Sequence, residues 1–98
     1  MTRPIVFVPE ARVELIEAQD WYESKAKGLG SMFRSEVVRA IERLAESPLH
    51  FPKVARDVRR ARLHRFPYAL YFRPIPDGIH VLARFHSRRD PQALRGRP

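Results

Sequence analysis

The spacing of hydrophobic residues divides the chain into a helical first half and a β second half. Ile5 to Val8 is a short apolar run bounded by Pro4 and Pro9, and Arg3 to Val8 predicts a first strand near a sheet edge or at a strand start. Pro9 and Glu10 then open a helix, with proline tolerated in its first turn and Glu10 and Glu14 near its positive end. Ala11, Leu15, Ala18 and Tyr22 recur at helical spacing, with Trp21 on the flank, and form a core stripe. Val13 and Ile16 fall on a different side, so this helix must touch something else there, either the next helix or another chain. Glu10, Glu17, Asp20 and Glu23 take the remaining positions and read as solvent-facing.

Lys27-Gly28-Leu29-Gly30 interrupts that period. A second helix follows from Leu29 or Ser31 to Glu46, with Phe33, Val37, Ile41 and Leu44 as its apolar stripe. So short a turn makes the two helices an antiparallel hairpin. The Gly28-Leu29-Gly30 segment can serve as a plain turn or as a phosphate cradle at a helix start. Ser47-Pro48 stops the second helix, and Pro48 to Asp57 reads as a connecting loop.

From Val58 onward the period is two. Arg60, Arg62 and His64 alternate with Arg59, Ala61 and Leu63, which predicts a half-buried strand with a basic face. A strand over Tyr68 to Arg73 follows, then a turn at Pro74 to Gly78 centred on Asp77-Gly78. Ile79, Val81, Ala83 and Phe85 alternate with His80, Leu82, Arg84 and His86, so this last strand is expected to carry one fully apolar face. Short connections make these strands an antiparallel meander, with the first strand added at one edge.

The 98 residues leave room for one domain. Without cysteine the chain has no disulfide scaffold, zinc ribbon or cysteine nucleophile, and no apolar run is long enough for a signal peptide or a membrane-spanning helix. A cytoplasmic protein with no membrane contact is expected. Charge is distributed unevenly. Residues 1 to 58 hold nine Lys/Arg against nine Asp/Glu, whereas ten arginines from Arg59 onward face only Asp77 and Asp90, so the whole net charge of +8 lies in the last 40 residues. Arginine forks suit phosphate and carboxylate recognition, and the basic half contains no lysine. Two readings compete with a merely solvated face: a nucleic-acid surface, or a docking site for an acidic protein.

Little else points to chemistry. No Walker loop or H-E-x-x-H motif is present, and His80 and His86 are about 20 Å apart at strand rise, too far to ligate one metal. Neither a metal nor a cofactor is expected. Arg60, Arg62 and His64 on one strand, Arg84 and His86 on another, and Lys53 in the preceding loop would make one basic patch if the strands are neighbours. Such a patch can bind, or it can act as a ribonuclease site in which Arg84 stabilises charge and His86 shuttles protons.

A set of short segments extends over nearly the whole chain in a familiar order. Ala18-Gln19-Asp20-Trp21-Tyr22-Glu23, Gly28-Leu29-Gly30 with Phe33, Pro48 then Phe51-Pro52, Arg65-Phe66-Pro67-Tyr68 with Tyr71, Val81-Leu82-Ala83 and His86-Ser87-Arg88-Arg89-Asp90-Pro91 together resemble the ParE branch of the RelE/ParE toxin superfamily. One departure is Leu94, near the place where the family commonly has a tryptophan. The resemblance implies an α+β fold, β-α-α-β-β-β, with an antiparallel sheet packed on an N-terminal helical hairpin. Residues 1–98 would form a single ParE-like toxin domain in which 87–98 is a basic C-terminal tail.

The resemblance also implies the toxin of a type II toxin-antitoxin pair, which poisons DNA gyrase by binding and performs no reaction of its own. Its partner would be a cognate antitoxin with an acidic, partly disordered C-terminal segment, covering Val13 and Ile16, and DNA would be reached only through that antitoxin. The target-binding surface would comprise Arg60, Arg62, Arg84, His86, Arg88, Arg89, Arg95 and Arg97. The RelE branch offers the alternative, a ribosome-dependent mRNA endoribonuclease, for which Arg62, Arg84 and His86 would be the catalytic set.

Overall fold

The computed structural model describes residues 4–86, and for 83–86 the backbone alone. Strand β1 (Ile5–Phe7) leads into helix α1 (Pro9–Lys25), a tight turn and helix α2 (Leu29–Glu46). A single 3-10 turn, Pro48–His50, then precedes β2 (Lys53–Ala55), β3 (Val58–Arg62), β4 (Tyr68–Ile75) and β5 (Gly78–His86). The strands form one sheet in the order β1-β5-β4-β3-β2. The α+β architecture and the helical hairpin match the sequence-based expectation.

Three details of the sheet differ from it. First, β1 occupies an edge as expected but runs parallel to β5, pairing Ile5 with Ile79 and Phe7 with Val81, so the sheet is mixed. β1 lies against the last strand of the meander, so no hairpin turn joins the two strands and antiparallel pairing is not imposed. Backbone bonds from Val8 N to Val81 O at 3.0 Å and from Ile79 N to Pro4 O at 2.9 Å extend the pairing past both ends of the strand. Second, the segment read as a loop contains β2, which pairs antiparallel with β3. Three residues directly after Pro52 are too few to display alternation. Third, β4 continues through Pro74 to Ile75, opposite Ile79 and Gly78 of β5. The β3 pairing ends at Phe72, so Pro74 has a strand on one side only and its missing N–H breaks no ladder there.

Both helices pack on one face of the sheet. Ala11, Ala18 and Tyr22 of α1 and Phe33, Val37, Ala40 and Leu44 of α2 meet Ala61, Leu70, Phe72, Ile79 and Val81 from the strands. Phe33, Phe72, Leu44, Leu70, Ile79 and Val81 are the largest fully buried side chains. Each contributes about 1.5–3 kcal/mol by leaving water. At one end of this core Tyr22, Phe33, Phe66 and Tyr68 form a ring cluster, with Tyr22–Phe66 centroids 4.8 Å apart edge to face.

The helical turn is locked from within. Glu23, in the last part of α1, accepts hydrogen bonds from Gly28 N at Oε2 and Gly30 N at Oε1, both at 2.9 Å. Its carboxylate therefore serves the start of α2, where no residue provides a side-chain cap and Gly28 sits at φ 88. Only glycine adopts that left-handed conformation without a Cβ penalty. Glu23, expected to be merely solvent-facing, is the capping group.

Candidate functional site

Two surfaces concentrate the residues singled out above. On the helical hairpin, Val13 and Ile16 of α1 are 53% and 55% exposed and lie off the buried stripe, as their spacing requires. Val38 of α2 is 46% exposed as well. It lines an open groove of about 530 Å³ together with Gln19, Ser31, Arg34, Ser35, Arg39 and Glu42. Ile16 stands one helical turn before Gln19. Arg39 also reaches Glu36, a buried carboxylate, at 3.7 Å. The hairpin thus presents aliphatic side chains beside two arginines, a combination suited to an amphipathic acidic segment.

The second surface is the sheet face away from the helices. Register places Arg60 opposite Tyr71, Arg62 opposite Ala69, and Arg73 opposite His80, which in turn pairs with Val6. Arg62 is exposed, while Arg60, Tyr71, Arg73 and His80 are half-buried. Asp57, in the β2–β3 turn, lies 3.1 Å from Arg73 Nε. Among the described residues it is the one carboxylate paired with an arginine of this face. Asp57, Arg73 and His80 had not been assigned to a site from the sequence. Their assembly depends on strand order, and β4 and β5 carry no motif that reveals it.

Register separates the rest of the expected patch. Tyr71 pairs with Ala83 but Phe72 pairs with Val81, so Leu82 is an extra residue in β5. A one-residue bulge shifts the alternation beyond it. Ile79 and Val81 therefore share the register of the core, whereas Ala83 and Phe85 stand opposite Tyr71 and Ala69. The single apolar face expected for Ile79 to Phe85 is interrupted. Arg84 stands opposite Leu70 and His86 opposite Tyr68, so neither shares the row of Arg60 and Arg62.

The β3–β4 connection adds further basic residues. Strand β3 ends at Arg62 rather than His64, because Leu63 N bonds Tyr68 O at 2.9 Å and Arg65 turns the chain at φ 72. His64 and Arg65 are exposed there. Arg43 Nη2 donates to Arg62 O at 3.0 Å, tying α2 to the end of β3. Lys53 is exposed on β2, at the opposite end of β3. Arg88, Arg89, Arg95 and Arg97 lie outside the described residues, as does Leu94.

The proposed phosphate cradle at Gly28-Leu29-Gly30 is occupied by the chain itself, since its two donors bind Glu23. Among the described residues no helix is long and apolar enough to cross a membrane.

The two-helix hairpin packed on a small, mainly antiparallel sheet is a ParE-like fold. Such a fold is found in a chain of the "Chromosomal ParDE TA system from P. aeruginosa", similar with a TM-score of 0.70 and 19% identity over 87% of this chain and 96% of that one. The model of the family described as "ParE toxin of type II toxin-antitoxin system, parDE" matches residues 5–91. The chain belongs to this ParE toxin family. No curated protein matches it.

Proposed function

We propose that this toxin acts in the cytoplasm as a binding-type poison of DNA gyrase and is held inactive by a cognate antitoxin. The observation that carries the choice of poison over ribonuclease is the β5 bulge. Arg62 belongs to the open-face row, whereas Arg84 and His86 stand in register with Leu70 and Tyr68. A nuclease needs its charge stabiliser and proton shuttle around one phosphate. The register of these strands does not bring the three into one row.

In this reading the open sheet face, with Arg60 and Arg62, works with the basic tail at 87–98, including Arg88, Arg89, Arg95 and Arg97. Arg84 and His86, in register with Leu70 and Tyr68, are left out of this surface. The antitoxin covers the hairpin face through Val13 and Ile16, whose exposure supports a protein contact. The deciding experiment combines purified toxin, gyrase, ATP and supercoiled plasmid, and scores linear DNA after the enzyme is denatured. Linear product that disappears with antitoxin is the expected result; intact supercoiled plasmid with mRNA cleavage on ribosomes that requires His86 would replace this function by the nuclease alternative.

A further inference from the structure

Arg60, Arg62 and Arg73 line the open sheet face in a way that the hairpin arginines do not match. Arg60 and Arg62 are two residues apart on β3, hence about 7 Å along the strand. Arg73 lies two residues beyond Tyr71, the partner of Arg60, and so sits diagonally from Arg60 at about 7–8 Å between Cα atoms. Three arginine positions therefore follow one another across two neighbouring strands at near-regular backbone intervals, with His80 opposite Arg73.

Their electrostatic environment is one-sided. Asp57 approaches Arg73, but among the described residues no carboxylate pairs with Arg60 or Arg62. Arg60 Nε is buried without a hydrogen-bond partner. Holding the half-buried Arg60 cation without a counter-charge is unfavourable unless an anion completes it. Both helices pack against the opposite side of the sheet, so among the described residues no helix covers this one.

We infer that the row Arg62–Arg60–Arg73 is a binding site for the phosphodiester backbone of a nucleic acid, contacted directly by the toxin. This replaces the expectation that DNA is reached only through the antitoxin. A repeating anion matches a repeating row of arginines, and the guanidinium fork takes phosphate oxygens in pairs. Contact to phosphates confers affinity and register with little sequence preference, so binding is salt-dependent and tolerant of sequence. The inference builds on Arg60 and Arg62 as part of the working surface, but not on gyrase being the target.

The test is fluorescence anisotropy of the full chain with labelled duplex DNA, single-stranded DNA and single-stranded RNA of mixed sequence, in the absence of gyrase. Replacing Arg60, Arg62 and Arg73 with alanine is expected to weaken binding at least tenfold and to lower the salt slope by about 2 to 3, near 0.9 for each duplex phosphate that is no longer neutralised. Removing the same charge from the hairpin, through Arg12→Ala, Lys27→Ala and Arg34→Ala, is expected to leave the slope nearly unchanged. The three probes identify which backbone is preferred.

Arg62→Glu, at an exposed position, gives the same comparison against Arg34→Glu if the triple variant folds poorly. Equal losses from the two faces would overturn the site, because the attraction would then follow net charge. Equal competition by polyglutamate would also overturn it, in favour of an acidic protein partner. Probe binding that is unchanged in the triple variant would refute this site whether or not gyrase poisoning persists, so the site and the proposed function fail separately.

Discussion

Glu23 and Gly30 are joined in two ways: the carboxylate accepts the Gly30 N–H at 2.9 Å, and a Cβ on Gly30 would lie 2.9 Å from that same carboxylate oxygen. The first contact caps α2, and in the second a Cβ would push the capping carboxylate out of place. Replacing Glu23 with alanine leaves the Gly28 and Gly30 donors without their acceptor. A loss of about 1 kcal/mol follows from the usual worth of such a cap, which lowers the Tm of a domain this size by about 4–8 °C. Thermal unfolding of Glu23→Ala against wild type measures it, and an unchanged Tm would remove the capping role.

Gly30→Ala tests the closeness of the helices. The added Cβ would meet the Gln19 carbonyl oxygen at 2.7 Å, and that backbone atom cannot rotate away. An expected destabilisation of about 1–3 kcal/mol reflects forced separation of α1 from α2. At Gly28 nothing lies within 4 Å of an added Cβ, so Gly28→Ala should cost only about 1 kcal/mol through its positive φ. Urea unfolding of both variants ranks the two effects.

Phe72 joins the sheet to the core and is fully buried, with Phe51 edge-on at 5.6 Å between centroids. Truncation to alanine should remove about 3–5 kcal/mol, a large share of the total stability of a small domain. Chemical denaturation is expected to show a markedly lower midpoint. A shift equivalent to less than about 1 kcal/mol would mean that the core around β4 repacks.

Val13 and Ile16 separate stability from partner binding. Both are more than half exposed, so aspartate at the two positions should change the folding free energy by less than about 1 kcal/mol. Affinity for the antitoxin is expected to fall at least tenfold, as for loss of apolar anchors at an interface. Isothermal titration with the purified antitoxin decides the matter, and unchanged affinity would place the antitoxin elsewhere.

Asp57 is the carboxylate beside the basic row. Converting it to asparagine removes a partly exposed ion pair with Arg73, which contributes about 1 kcal/mol or less to folding. Nucleic-acid binding should strengthen about two- to fivefold at moderate salt, since one repelling charge is gone. Weaker binding in the anisotropy assay would show that Asp57 positions Arg73 rather than opposing the ligand.

Much of the fold was legible because local pattern carries it. The stripes Ala11, Leu15, Ala18, Tyr22 and Phe33, Val37, Ile41, Leu44 predicted two helices with their buried faces; six of these residues are buried, and Leu15 and Ile41 pack partly buried against the core. The off-stripe exposure of Val13 and Ile16 was legible for the same reason. The site was less so. Leu82 looks like any other position in an alternating strand, yet as an unopposed residue it moves Arg84 and His86 out of register with Arg60 and Arg62. Asp57 and Arg73 lie far apart along the chain, and nothing in either neighbourhood announces their pairing.

The sequence by itself determined the two helices, the basic second half and the family resemblance, because periodicity, charge and ordered motifs are properties of residues near one another along the chain. Only the tertiary structure decided that β1 runs parallel to β5, that Glu23 closes the helical turn, and that Arg60, Arg62 and Arg73 form a row without Arg84 and His86. Those relationships depend on which strands become neighbours and in what register. A single extra residue on one strand reverses the register beyond it, and the choice is made by packing against a distant partner.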